Sequence, residues 1–165
     1  MINLNDKILD ADNFTYGEFI RSSIANRFNI NNYPDNDQIW KNIESLAINC
    51  LQPIRNQFGP IRILSGFRCP ALNKAVGGSK TSNHLNASSC DFEPINTNIK
   101  LIEIIDWIHD NLKWKELIAE YFDRDGWVHI AFKDDNFTDK IKLKDKNHNY
   151  SIVDIKYLDK LYQIK

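Results

Sequence analysis

Residues 82–94, SNHLNASSCDFEP, place a histidine and an aspartate in a polar segment that has almost nothing to bury. His84 and Asp91 are both residue types that bind divalent metals. A second histidine, His129, follows in the strand-like run WVHIAF. Two imidazoles and one carboxylate on Zn²⁺ leave the fourth position for water, which is the pattern of a catalytic zinc site. Histidines and acids occur in most chains, so these residue types alone favour structural roles for both histidines.

Two further residues could complete such a site. The runs ELIAEYF and WVHIAF are predicted strands joined by DRDG, a four-residue turn-like segment. If Phe122 pairs with Trp127, Glu120 lies directly opposite His129 on one face of the hairpin. A glutamate there could take a proton from a metal-bound water and return it to the leaving amine. Arg68 could hold an anionic intermediate or a substrate carboxylate.

Helices and strands must position these residues, and the sequence pattern predicts an α+β fold in which helices flank a small antiparallel sheet. Pro53 should kink the longest helix or end it early. The predicted elements are one or two short helices within 12–30, a long helix over 37–58, a short helix at 70–76, a helix over 98–112, and strands at 61–67, 90–95, 116–122, 127–132 and within 136–165, where a final strand or helix is also expected.

Length and composition favour one soluble globular domain over residues 1–165, with the metal-site core at about 37–133 and a C-terminal extension at 136–165. The net charge of −1 gives no reason to expect a nucleic acid or an anionic membrane as partner. No apolar run approaches the ~20 residues of a membrane span. The N-terminus lacks the pattern of a secretory signal, so we expect synthesis in the cytoplasm without a signal peptide.

The three cysteines, Cys50, Cys69 and Cys90, show no Cys-x-x-Cys spacing. We expect three reduced and mostly packed thiols, with a Cys69–Cys90 disulfide as the alternative.

The run over residues 60–94 resembles the metal-binding core of the D-alanyl-D-alanine peptidase family of zinc enzymes. That family includes bacterial DD-carboxypeptidases, VanX-type dipeptidases and many phage endolysins. The shared motifs are an SGxR strand at 65–68, Pro-x-x-Asn at 70–73, Ser-x-His at 82–84 followed by Asp91, and Trp-x-His at 127–129. The resemblance runs over about residues 12–133 and is greatest to the compact phage and prophage branch.

This resemblance implies that His84, Asp91 and His129 bind zinc, that Glu120 is the general base, and that Arg68 contacts the oxyanion or a substrate carboxylate. The implied activity is cleavage of peptidoglycan stem or cross-link peptides by a monomeric DD- or LD-carboxypeptidase or endopeptidase, with phage endolysins among the candidates. Such an enzyme would act on the cell wall after release from the host cytoplasm or delivery by a virion. The alternative is a zinc-stabilised binding module that has lost activity, for which the Hedgehog signalling domain is the precedent.

Two positions depart from the family pattern. The family usually has glycine three residues after the first histidine, where this chain has Ala87, and alanine would be strained if φ is positive there. Many relatives also keep the catalytic glutamate three residues before the last histidine, where this chain has Gly126. Asp123 or Asp125 could serve instead, although an aspartate in a turn more often stabilises the turn itself.

Overall fold

The computed structural model describes residues 2–121, 126–133, 135, 137–138, 140–153 and 160. The helices are α1 (Tyr16–Ile20), α2 (Ser23–Arg27), α3 (Asp37–Leu46), α4 (Gln52–Phe58), α5 (Pro70–Ala75) and α6 (Leu101–Asn111), with a π segment at Ala47–Leu51 and a 3-10 turn at Asn83–Asn86. The strands are β1 (Lys7–Ile8), β2 (Ala11–Thr15), β3 (Ile61–Ser65), β4 (Ser89–Pro94), β5 (Glu116–Glu120), β6 (Trp127–Ala131), β7 (Ile141–Lys144) and β8 (Tyr150–Val153).

Six of the strands form one sheet in the order β3–β4–β6–β5–β7–β8, while β1 and β2 form a separate pair. The predicted α+β fold is therefore confirmed. Neighbouring strands are antiparallel except β5 and β7, so the predicted antiparallel sheet contains one parallel pair. Both edges of β6 are already paired, with β4 and β5, so the chain crosses β5 and adds β7 at the free edge of β5.

The long helix predicted over residues 37–58 is present in two parts joined by the π segment. It begins where the Asn36 side chain accepts a hydrogen bond from the amide of Ile39, which satisfies one of the free donors of the first turn. The disturbance expected at Pro53 takes the form of this π segment, which lies just before the proline, and the helix then resumes as α4. A wide turn accommodates the missing amide hydrogen and the bulk of the proline ring.

The core lies between these helices and the sheet. Cys50 and Cys90 are buried, Cys69 is half-buried, and all three are free thiols, as predicted. Burial raises the pKa of the Cys50 thiol to about 12, so this thiol is inert at neutral pH. Across the described part of the chain, every helix is too short or too polar to cross a membrane.

Candidate metal centre

His84 lies in the 3-10 turn between α5 and β4 and is almost fully buried. The Ser82 hydroxyl accepts a hydrogen bond from the His84 amide, and Ala87 ends the turn in the left-handed conformation, with φ at 59°. The imidazole Nδ1 lies 2.6 Å from the carbonyl oxygen of Gly66. Because a carbonyl oxygen only accepts, Nδ1 carries a proton, and in the neutral imidazole this leaves the lone pair on Nε2, where it can bind a metal.

Asp91 on β4 and His129 on β6 are directly paired across the middle of the sheet. Asp91 Oδ1 lies 2.7 Å from His129 Nδ1, and Asp91 Oδ2 lies 3.3 Å from His84 Nε2. All three residues are buried, and their candidate ligand atoms lie within 4.8 Å of one another. The fold thus brings together the three residues that the resemblance implied as metal ligands.

The chemistry of this cluster fits a zinc ion. The outer nitrogens of the two imidazoles face acceptors, His84 Nδ1 the Gly66 carbonyl and His129 Nε2 a carboxylate oxygen of Glu116 at 3.5 Å. The inner nitrogens, His84 Nε2 and His129 Nδ1, both face the Asp91 carboxylate. Metal-bound histidines usually direct their second nitrogen to such an acceptor, and two imidazoles with one carboxylate form a catalytic zinc donor set.

Electrostatics favour a protonated His129 beside the Asp91 carboxylate. Burial lowers the pKa of His129, but the hydrogen bond to Asp91 and the nearby Glu116 carboxylate outweigh it and raise that pKa to about 9. Burial raises the pKa of Asp91, but His84 and His129 outweigh it and hold that pKa well below its ordinary value. A positive charge therefore lies beside the Asp91 carboxylate at neutral pH, where a metal ion would replace the proton.

Arg68 follows β3 and reaches the same carboxylate. Its Nε donates to the Ser65 hydroxyl oxygen and its Nη2 donates to Asp91 Oδ2, each at 2.8 Å. Nη2 also lies 3.3 Å from His84 Nε2. The guanidinium lines the cleft above the cluster, so it is placed to contact an anionic group that binds there.

The register of β5 and β6 corrects the prediction for Glu120. Glu120 lies opposite Trp127, and Ile118, not Glu120, lies directly opposite His129. The difference from the predicted register is two residues. Because side chains alternate along a strand, a shift by an even number leaves Glu120 on the same face as His129.

The register differs because β5 ends at Glu120. Tyr121 has φ at 54°, a left-handed conformation that breaks the extended backbone, so the connection is longer than the predicted four-residue turn. Phe122, Asp123 and Asp125, which carried the predicted pairing and the alternative bases, lie outside the described residues. A Cβ atom on Gly126 would overlap the carbonyl oxygen of Glu120, so a glutamate three residues before His129 does not fit this backbone.

Glu116 is a second carboxylate on the same face of β5, and the sequence reasoning missed it. Its Oε1 accepts a hydrogen bond from Lys142 at 2.6 Å, and its Oε2 accepts one from Asn83 at 2.9 Å. Proximity to His129 and to Lys142 lowers the pKa of Glu116 to about 2, against the raising effect of burial. The alternation of Glu116 and Glu120 along a predicted strand was the available signal, since it places both on the face of His129.

The cluster lies in a cleft of about 1140 Å³ that runs across the sheet. Its lining includes the apolar side chains of Leu64 and Val76 and the aromatic rings of Tyr121, Trp127 and Tyr150. This volume is slightly above the roughly 300–1000 Å³ of small-molecule pockets and suits several residues of an extended peptide better than one amino acid.

A buried histidine and a carboxylate on neighbouring strands, with a second buried histidine in the turn before them, form a donor set that metal-dependent hydrolases use. Residues 12–131 match the family model described as Peptidase M15, and the chain belongs to that family. A comparison with curated proteins found no match. Membership places the chain among the peptidases, which act on peptides, and confirms the predicted D-alanyl-D-alanine peptidase family.

Proposed function

We propose that the protein is a zinc-dependent peptidase that cleaves peptidoglycan stem or cross-link peptides. The observation that supports this most directly is the buried cluster of His84, Asp91 and His129 in the cleft of a Peptidase M15 chain. In this proposal these three residues bind the zinc ion, Glu120 is the general base, and Arg68 contacts the oxyanion or a substrate carboxylate.

The chain's own residues divide the chemistry between them. A zinc ion held by the cluster would supply a Lewis acid for the scissile carbonyl and would lower the pKa of the attacking water. Glu120 would accept the proton of that water and return it to the leaving amine. Lys144 donates a hydrogen bond to Glu120 Oε2 at 2.8 Å, which restrains the carboxylate, and Oε1 would be the oxygen that accepts the proton.

The positive charge of Arg68 could stabilise an anionic transition state in the cleft. Arg68 keeps its guanidinium beside the metal cluster through Ser65 and Asp91, so the cation is in place before substrate arrives. A preorganised cation stabilises developing negative charge at little reorganisation cost. The same group could bind the terminal carboxylate of a carboxypeptidase substrate.

The first test measures zinc per chain in the purified protein and in His84→Ala. We expect about one equivalent in the protein and a loss of zinc from the variant, since one of three ligands is removed. A folded wild-type protein that takes up no zinc would contradict the proposal.

The second test digests purified peptidoglycan with the wild-type protein and with Glu120→Gln. We expect the variant to keep its zinc and to lose at least about 100-fold in rate, as removal of a general base does. A carboxypeptidase releases single terminal residues, while an endopeptidase, including the endolysin type, separates cross-linked peptides. Zinc binding without any cleavage would instead identify an inactive binding module of the same fold.

A further inference from the structure

Strand β7 lies outside residues 12–131, the part of the chain that matches the family, yet it forms one side of the metal-site cleft. It pairs in parallel with β5, so that Lys142 is the partner of Ile118 and Lys144 is the partner of Glu120. Alternate residues of a strand share a face. Both lysines therefore point into the cleft, where each meets a glutamate of β5.

The first lysine, Lys142, contacts Glu116, a carboxylate that lies next to the metal cluster. Lys142 Nζ and the Asn83 amide each hold one oxygen of the Glu116 carboxylate, and Lys115 Nζ in turn donates to Asn83 Oδ1 at 2.6 Å. Glu116 Oε2 lies 3.5 Å from His129 Nε2, the nitrogen that faces away from the other two ligands. This separation is an ion-pair contact and not a hydrogen bond, and a carboxylate so close favours the proton on Nε2 and raises the basicity of the nitrogen that would bind the metal.

The second lysine, Lys144, forms an ion pair with Glu120 and contacts two aromatic rings. Lys144 Nζ lies 5.2 Å from the centre of the Tyr121 ring and 5.4 Å from that of Tyr150, which are cation–π distances. The Tyr121 hydroxyl is 2.7 Å from His148 Nδ1, which fixes one of these rings. The Lys144 side chain is only 17% exposed, so the ammonium has little freedom to leave the Glu120 carboxylate.

We propose that Lys142 and Lys144 are positioning residues with separate tasks at the metal centre: Lys142 sets zinc affinity through Glu116 and His129, and Lys144 sets turnover through Glu120. The turnover half rests on the proposed function, whereas the affinity half requires only that the cluster binds zinc. The C-terminal extension then contributes two side chains to the function of the metal site.

The test compares Lys142→Met and Lys144→Met in the full-length protein, with zinc Kd measured by competition with a chelator and kcat and KM measured at saturating zinc. Loss of a carboxylate that orients a metal-bound histidine weakens metal binding by about 10–100-fold, and Lys142→Met only loosens that carboxylate, so we expect its zinc Kd to rise by up to about tenfold. Its kcat at saturating zinc should fall by a smaller factor than its zinc affinity. Glu116→Gln should reproduce this result, because it removes the same partner directly.

Lys144→Met should show the opposite pattern. A misplaced general base reduces the rate without loosening the metal, so we expect kcat to fall about tenfold or more while KM and zinc Kd change less than about twofold. Lys144→Arg keeps the cation and should recover most of the activity. The matched control is Lys140→Met, an exposed lysine just before β7, which should change neither quantity.

A merely structural role for β7 predicts a different result, in which both variants lower the melting temperature and move kcat and zinc Kd together. That result, or no change in either quantity, would overturn the proposal. Failure of the proposed function gives a different result. If Glu120→Gln stays active, or if the wild-type protein cleaves nothing, the proposed role of Lys144 in turnover is wrong. The proposed role of Lys142 in zinc affinity is then still decided by the zinc Kd of Lys142→Met.

Discussion

Among single residues of the metal site, Ala87 carries two opposing effects. Its φ of 59° and ψ of 21° lie in the left-handed region, which costs roughly 1–2 kcal/mol for a residue with a Cβ atom. The condition under which alanine is strained at this position is therefore met. However, Ala87 is 1% exposed and belongs to the core, where a buried methyl group contributes about 0.8 kcal/mol.

We expect Ala87→Gly to change the free energy of unfolding by less than about 1 kcal/mol, because it removes the strain and the methyl contact together. Ala87→Val should lower the free energy of unfolding by about 2 kcal/mol or more, since a β-branched residue rarely adopts a positive φ. Chemical denaturation of both variants provides the measurement. A gain above about 2 kcal/mol with glycine would show that strain far outweighs packing here, contrary to this expectation.

At the level of elements, the connection from β5 to β6 decides which carboxylates share the face of His129. Gly126 lies directly before β6, and a Cβ atom on it would overlap the carbonyl oxygen of Glu120. Gly77, which follows the end of α5, offers a comparison, because its φ is 71° and no atom of the described residues lies within 4 Å of an added Cβ.

We expect Gly126→Ala to lower the free energy of unfolding by about 3 kcal/mol, since the backbone of one strand must move. Gly77→Ala should lower it by only about 1 kcal/mol, the cost of the backbone conformation alone. Thermal unfolding of the two variants side by side measures the difference. Equal losses would mean that the backbone around Gly126 yields easily, and the register argument for Glu120 would weaken with it.

The elements also show what local sequence can and cannot predict. The long helix was predictable because apolar residues recur at helical spacing, although the π segment before Pro53 was predictable only as a disturbance. The hairpin register was not, because the composition of the connection indicated a tight turn and a tyrosine rarely adopts the positive φ that Tyr121 has. Glu120 kept its face because the register differs by an even number of residues.

In the molecule as a whole, the candidate site depends on long-range pairing. His84, Asp91 and His129 were identified by the order of motifs along the chain, and the β4–β6 pairing then brings the last two together. The lysines of β7 were out of reach of such reasoning, because their place depends on a crossover that adds a parallel strand beside β5. Local periodicity predicts a strand but not its neighbour.

Because the cluster joins the turn after α5 to two central strands, zinc should stabilise the whole fold. An ion that binds only the folded state at 1000 times its Kd adds about 4 kcal/mol, which would raise the melting temperature by roughly 10 °C. The pKa of His129 is raised from 6.5 to about 9, so below pH 9 zinc must displace a proton and its affinity falls as pH falls.

We therefore expect the zinc-induced rise in melting temperature to be larger at pH 8 than at pH 6, measured by differential scanning calorimetry with and without zinc. His84→Ala should abolish the rise at both pH values, because it removes a ligand. His109→Ala, a change at an exposed histidine of α6, should leave the rise unchanged. A rise that is independent of pH, or that survives in His84→Ala, would place the bound zinc at surface groups and not at the cluster that joins β4 to β6.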